Sequence, residues 1–436
     1  MQIISLIGIL LGVFTFVIML TKRFNLVLAG CAASLVMIFL SGQPILPLIT
    51  DTWATGLGNW MKSNFLIFAL AAIFGRLMMD GGAAKRIAIA VYKVCSRSEK
   101  NAKFYSCLFV PIMYCILTYA GVSGFVCVYT VVGIAYYVFK KNDVPWWLYC
   151  SGGSTSMTTY FLAGSLQAAN ISAAQICGTT VTAGMGMSII MFVVIWAWEL
   201  FYLKWMCDRA TKRGEHFMDT GAEYDAAAEE TDMNDEGLPG LIRALIPMVA
   251  MILWAALIDT PVIVAEAVGI ILAIIFYWDN LKGKVKDSLS SGLISCFNPT
   301  LGVACATAMG TVIAAVPGYN IISDMVGGLG LLGGGCALLV LMGLFVGSAP
   351  SLVSAFGPTA FEMFTQYGLS NEISHRLIMN CCLTCLPPHC PGVANATSVA
   401  KVPFLKGASV YMWISWVGGG LALAVSLILI KLGVFV

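Results

Sequence analysis

Three prolines within five residues, Pro387, Pro388 and Pro391, interrupt an apolar segment long enough to cross a bilayer. The run reads Cys385-Leu386-Pro387-Pro388-His389-Cys390-Pro391-Gly392-Val393-Ala394-Asn395. Each proline removes a backbone N–H and clashes with the preceding turn, so no helix continues through it. Backbone groups freed at membrane depth are tolerated only where protein or a water-filled cavity satisfies them. The break therefore belongs in the interior of a helical bundle. His389 sits in its middle, and an ionisable group beside a broken helix is by default a binding-site candidate.

The rest of the chain fits a bundle in lipid. Only 11% of the 436 residues are charged and the mean hydropathy is +0.88. Soluble domains carry about 25% charged residues. Repeated stretches of about 18 or more residues nearly free of charge match the thickness of a bilayer core. The chain is thus an all-α polytopic membrane protein, with the lipid bilayer as one partner. A net charge of +2, with no basic patch interleaved with aromatics, gives no case for nucleic acid. No paired intramembrane carboxylates, His-Glu-x-x-His or Gly-x-Ser-x-Gly is present, which argues against an embedded enzyme. The fifteen cysteines lie mostly in apolar spans and act as small hydrophobes. Cys381, Cys382, Cys385, His389 and Cys390 could be read as a metal cluster, but the prolines explain that segment without one. Neither metal nor organic cofactor is expected.

Met1 to Leu20 lacks a basic start and a small-residue cleavage site, so it reads as a retained span. Spans are expected at about 3–21, 24–41 and 64–82, with an interfacial loop or a short surface helix from Gly42 to Lys62. A basic stretch follows, from Lys85 to Lys103. Residues 104–139 are apolar but broken at 119–124 and flanked by basic residues on both sides, which describes a re-entrant hairpin. Residues 144–168 hold Ser151-Gly152-Gly153-Ser154-Thr155-Ser156-Met157-Thr158-Thr159, which predicts an unwound span, and 178–205 form another span. An acidic linker, 207–239, divides the chain. The second half repeats the plan: spans at 240–258, 261–278 and 289–315, a Gly-rich connection at 327–335, a hairpin broken at 347–351, the broken span 372–402, and a last span at 408–430. Each half then has about five spanning helices, one re-entrant hairpin and one broken helix. With Lys22 and Arg23 placed in the cytoplasm, twenty-one of the twenty-four basic residues fall inside, and Lys62, Arg376 and Lys431 fall outside. The halves enter from opposite sides, as inverted-topology repeats do. That makes 1–206 the first repeat and 240–436 the second. Spans 1–103 and 240–334 read as scaffold, and 104–206 and 335–436 as transport-type hairpin and broken span. The protein is expected in the cell (inner) membrane with both termini outside the cytoplasm.

Two stretches carry a family likeness: IFALAAIFGRLMMDGGAAKRIAIAV, Ile67 to Val91, and LTYAGVSGFV, Leu117 to Val126. On these the chain resembles the gluconate permease (GntP) family within the ion transporter superfamily. LPPHCPG, Leu386 to Gly392, is similar to the family's Pro-Pro-His-Pro string but stands in the second half, where the first half has SGGSTSMTT. The resemblance implies a secondary symporter for a small organic anion, a hydroxycarboxylate or sugar acid such as gluconate. It implies protons as coupling ion, with sodium the alternative, and a homodimer in which a transport domain moves against a scaffold as an elevator.

The four breaks nominate the site. Helix termini exposed at a break present N–H groups and a partial positive charge, which suits a carboxylate. Hydroxyls add neutral donors that bind an anion without trapping it. The substrate-binding candidates are Gly121, Ser123, Gly124, Ser154, Thr155, Ser156, Thr158, Ser348, Ser351, His389 and Asn395. The competing reading is that such small residues only pack helices closely. His389 is also the proton-coupling candidate, because histidine titrates nearest neutral pH. Asn395 could instead cap the resumed helix. Asp80 is expected to pair with Lys85 or Arg86. Glu266 is the most isolated carboxylate within a span, though its segment belongs to the scaffold. His216 and His375 carry little weight.

Overall fold

The computed structural model describes residues 1–22, 24–95, 101–119, 121–122, 124–152, 159, 162–226, 236–258, 260–384 and 390–435. Those residues form helices and turns without a strand. The first half comprises α1 (Gln2–Thr21), α2 (Leu26–Ser41), α3 (Ala54–Asp80), α4 (Ala83–Cys95), α5 (Ala102–Tyr119), α6 (Gly124–Lys141), α7 (Ala168–Cys177) and α8 (Met185–Lys212), followed by α9 (Met218–Asp225). The second half comprises α10 (Leu241–Leu257), α11 (Val262–Phe276), α12 (Val285–Ala315), α13 (Gly318–Gly327), α14 (Gly330–Val346), α15 (Ala349–Tyr367), α16 (Asn371–Thr384), α17 (Pro391–Val399) and α18 (Phe404–Lys431). Six helical stretches among the described residues are long and apolar enough to cross a membrane: Gln2–Met19, Ile45–Asp80, Ala102–Tyr119, Met185–Lys212, Val285–Ala315 and Phe404–Lys431. Shorter apolar helices, such as Val262–Phe276 and Gly330–Val346, add to them. The chain is a multi-pass membrane protein.

Lipid tails are as apolar as leucine, so these helices associate through close packing rather than through water exclusion. Ile3, Ile7, Leu10 and Phe14 of α1 stay exposed, while Ile9 and Phe16 face inward. The central contact is α3 against α12. Gly292 permits it: a Cβ there would lie 2.7 Å from the Cα of Ile73. At one end of the pair Asp80 takes Arg76 Nε at 2.8 Å and the Ser288 hydroxyl at 2.7 Å. Asp80 thus pairs with the arginine one helical turn before it. Around this core, α1 packs on α2 and α13, and α2 on α12. Likewise α10 packs on α11 and α4, and α11 on α3.

Of the two readings of Gly42–Lys62 the structure takes the helix, which runs into α3 through a π-turn at Leu48–Trp53. Other sequence readings need correction. The Gly-rich connection 327–335 is mostly the start of α14, which begins at Gly330. Glycine at high density there serves close packing, as Gly335 against the Phe364 ring shows, and the helix tolerates it. The acidic linker is structured over its first twenty residues: α8 continues to Lys212, and α9 docks on α6. Asp225 accepts from Tyr136 and Lys140, Phe217 packs on Trp146 and Tyr136, and Asp143 receives the Phe217 N–H at 3.0 Å.

Candidate functional site

The first hairpin turns between α5 and α6. Gly121, at φ +89°, closes it in the left-handed region that favours glycine. Its N–H donates to the Thr118 carbonyl and that of Val122 to Leu117. Gln167 caps this turn from outside: its Nε2 donates to the carbonyls of Thr118 at 2.5 Å and Val122 at 3.2 Å. The Thr118 hydroxyl lies 2.8 Å from that of Thr159, which ties the turn to the segment after α6. All these side chains are buried.

The second hairpin turns at Gly347, with φ +66°. Ser351 donates to the Val303 carbonyl of α12 at 2.9 Å and lies 3.0 Å from Ser348 Oγ. The single Ser351 proton serves one of these two acceptors at a time, and Ser348 is the alternative to Val303. Val303 also packs with Ala168, Trp60 and Phe68. Because Ala168 follows Gln167, this small cluster joins the two hairpin turns through the first residue of α7. Ser172 on α7 donates to Asn64 of α3 at 3.2 Å beside it.

Three helices begin inside the bundle with no side chain capping their first N–H groups: α7 after Gln167, α15 after Ser348 and α17 after Cys390. The side chain that could cap α7 is committed to the hairpin turn. The first four N–H groups of a helix have no partner within it. An uncapped start carries about half a positive charge. The crossings join the halves: α15 packs on α7 and α17 on α6.

Of the sequence candidates, the structure brings Ser348 and Ser351 together at the second turn and places Gly121 and Gly124 at the first. Asn395 lies in mid-helix on α17, half-buried, four residues after Pro391 starts the helix, so it is not the cap. Ser123, Ser154, Thr155, Ser156, Thr158 and His389 lie outside the described residues.

Sequence reasoning missed a buried polar network one turn into α7. His375 and Arg376 on α16 are both fully buried. Asn170 Oδ1 accepts from Arg376 Nη2 at 2.9 Å, and from His375 Nε2 at 3.0 Å in the tautomer whose Nδ1 accepts from Thr179 at 2.8 Å. Asn170 Nδ2 donates to Ser165 and Val181, and Arg376 reaches the Val181 carbonyl as well. Glu372 accepts the Gly184 N–H at 2.9 Å. Positive-inside counting set Arg376 among the exterior charges. The available signal was an adjacent His-Arg pair inside an apolar segment, where an ionisable residue is costly without a purpose.

Glu266 is 1% exposed, and neither carboxylate oxygen has a hydrogen-bond partner among the described residues. One turn on, Gly269 packs against Met251, whose methyl would lie 3.9 Å from a Cβ on Gly121.

Comparison with known proteins places this architecture. A family model described as GntP family permease matches residues 4–276, more than half of the chain. The uncharacterized transporter YxjC of Bacillus subtilis (strain 168) is 23% identical over 403 residues, 82% of this chain and 84% of that protein. The structure of MtrF from Neisseria gonorrhoeae, described in a class of antimetabolite efflux pumps, aligns with a TM-score of 0.51 at 12% identity. The alignment covers 87% of this chain and 83% of MtrF. The Alcanivorax borkumensis YdaH transporter, reported with an unusual topology, aligns at 0.48 and 13% identity over 89% of each chain. The likeness to MtrF is one of fold.

Proposed function

We propose, for a chain that belongs to the GntP family of permeases and is a secondary transporter rather than an enzyme, both a cargo and a way of moving it. The cargo is a small organic anion, a hydroxycarboxylate or sugar acid such as gluconate, carried in symport with protons. The observation that carries this reading is the set of uncapped helix starts, α7, α15 and α17, drawn from both halves into one bundle. Backbone N–H groups and aligned dipoles are a ready anion site. The Ser348 hydroxyl adds a neutral donor, and the Arg376 guanidinium, held by the neutral oxygens of Asn170 and Val181, adds positive potential behind α7.

The pairing of helices supports inverted repeats: α1–α2 against α12–α13 is matched by α10–α11 against α3–α4. On that reading, α1–α4 and α10–α13 form the scaffold, and the hairpins with α7, α8 and α16–α18 form the body that moves past it as an elevator. A homodimer in the inner membrane, held by the scaffold, and termini outside the cytoplasm complete the proposal. The coupling proton has two candidate carriers, His389 in the break and Glu266 buried on α11.

Uptake of labelled C3 to C6 acids into proteoliposomes, with and without a pH gradient, tests the reading. Saturable uptake of a hydroxycarboxylate that rises with an inward proton gradient is the expected result. Absence of saturable uptake of every such acid would sink it, and uptake that follows sodium instead of pH would replace the coupling ion.

A further inference from the structure

A cleft of about 450 Å³ opens at the end of α8, away from the hairpins. Its walls include Trp147, Tyr202, Trp205, Arg209, Arg213 and Trp413. We propose that this cleft between α8 and α18 binds the headgroup of an anionic glycerophospholipid, with the phosphate on Arg209.

The first argument is geometric. Trp198, Tyr202 and Trp205 stack in a continuous ladder up α8, with successive centroids 5.5 Å apart and rings tilted by 16° and 24°. The Arg209 guanidinium completes it, 4.9 Å from the Trp205 ring centroid. Trp198 Nε1 donates to the Trp413 carbonyl at 3.1 Å, which fixes the ladder against α18. Phe201, Trp205 and Trp413 are 64%, 44% and 52% exposed on a membrane-spanning helix pair. They therefore meet lipid. Isolated interfacial aromatics form a belt, but a belt does not create a concave site. A ladder beside a cleft offers a glycerol backbone and acyl chain a rigid apolar wall.

The second argument is charge. Glu215 is the one acid lining the cleft, and three groups already engage it. Trp147 Nε1 donates to it at 2.8 Å, Lys406 lies at 3.4 Å and Arg213 at 4.0 Å. Lys204 is taken by Asp208 at 3.2 Å. Arg209 has no carboxylate within ion-pairing distance among the described residues. Arg209, Arg213 and Lys406 against Glu215 leave an excess of two positive charges at the depth of lipid phosphates. Basic pockets between spanning helices bind anionic headgroups for this reason. A planar guanidinium stacked on a ring keeps its fork free for two phosphate oxygens. A zwitterionic lipid would set its amine against this excess.

Native mass spectrometry of the whole transporter, released from nanodiscs containing equal phosphatidylglycerol and phosphatidylcholine, tests the site. The wild type is expected to retain one phosphatidylglycerol at least tenfold over phosphatidylcholine. Arg209→Gln is expected to abolish that preference, and Trp205→Leu to shorten retention of both lipids. Equal retention of the two lipids by the wild type overturns the proposal, as does an undiminished preference in Arg209→Gln. Should Arg209→Gln fail to fold, Arg209→Lys decides: the charge without the fork must lower the preference, and an unchanged ratio refutes the bidentate contact. Soluble glycerol phosphate is the arm for a free phosphate ligand. If it displaces phosphatidylglycerol at equal concentration, the site takes free phosphates and the lipid assignment fails.

Discussion

Gln167 offers the sharpest perturbation, because its side chain serves the first hairpin turn and not the helix it begins. Gln167→Met keeps length and flexibility while removing both donors, and α7 loses no cap because the side chain gave it none. The carbonyls of Thr118 and Val122 would lose the amide at a site only 5% exposed. The Thr118 carbonyl keeps the Gly121 N–H, while the Val122 carbonyl keeps, among the described residues, the Cys127 thiol at 3.8 Å. A buried acceptor left without a strong partner costs about 1–3 kcal/mol, so the turn is weakened by about that much if it holds its shape. The middle of that range is about 30-fold in an equilibrium constant. The turn can instead loosen, and the ratio of formed to unformed turn then falls by the same factor. If that turn must be formed to bind, the apparent KM rises as the formed fraction drops. Two measurements follow. Hydrogen exchange at the Gly121 and Val122 amides should quicken while that of α3 and α12 does not, and uptake should show a raised KM. Unchanged protection at both amides would refute the structural reasoning whatever the substrate proves to be. Lost protection with an unchanged KM would refute the link from turn to site.

Within the proton-coupled reading, Glu266→Gln is expected to abolish accumulation driven by a pH gradient while leaving substrate exchange at equilibrium intact. One pH unit supplies about 1.4 kcal/mol per proton, about tenfold accumulation, so the loss is easily read. Gly292→Ala places a methyl 2.7 Å from the Ile73 backbone and should cost about 1–3 kcal/mol, seen as a lower melting temperature. Gly58→Ala, which meets nothing within 4 Å, should not. The carboxyl of Asp143 is held below the ordinary range, first by the Phe217 N–H and then by His216, and that of Asp225 by Lys140 and Tyr136. A depressed acid stabilises fully above its unfolded pKa and loses that contribution as pH falls through its folded one. The docking of α9 should therefore hold above about pH 4 and weaken below it, measured by exchange of the α9 amides. Asp143→Asn should loosen α9 at neutral pH and flatten that acid dependence.

What was legible in the sequence was whatever lipid enforces locally. Membrane-length apolar runs, glycine at the two hairpin turns and proline at the second-half break each act on their own backbone, and spans and hairpins follow. At Gly42–Lys62 the helix alternative holds over the loop because Pro44 and Pro47 sit where a helix starts, in its first turns, where proline is tolerated. The linker was misread because its acids looked solvated. Asp143, Asp225 and Glu215 find lysine, tyrosine and tryptophan partners between 66 and 191 residues away or across a turn, which composition does not report. The network of Asn170, His375 and Arg376 was invisible for the same reason: its members are 205 and 206 residues apart.

That separation bears on how the site works. α7 belongs to the first half, yet the groups that fix its first turn, His375 and Arg376, come from the second, as does α15 packed along it. The reverse holds for α17, which packs on α6 of the first half. Each of these helix starts therefore packs against the opposite half, and on the proposed reading neither half would hold the anion by itself. A bare helix start binds an anion weakly in water, because its field is screened. Behind α7 stands a guanidinium held by the neutral oxygens of Asn170 and Val181, while the Glu372 carboxylate accepts a backbone N–H at Gly184. In a low-dielectric bundle that placement strengthens the attraction at the helix start without presenting a cation directly to the ligand. A carrier needs that balance, since an anion bound to an exposed arginine fork would be slow to leave.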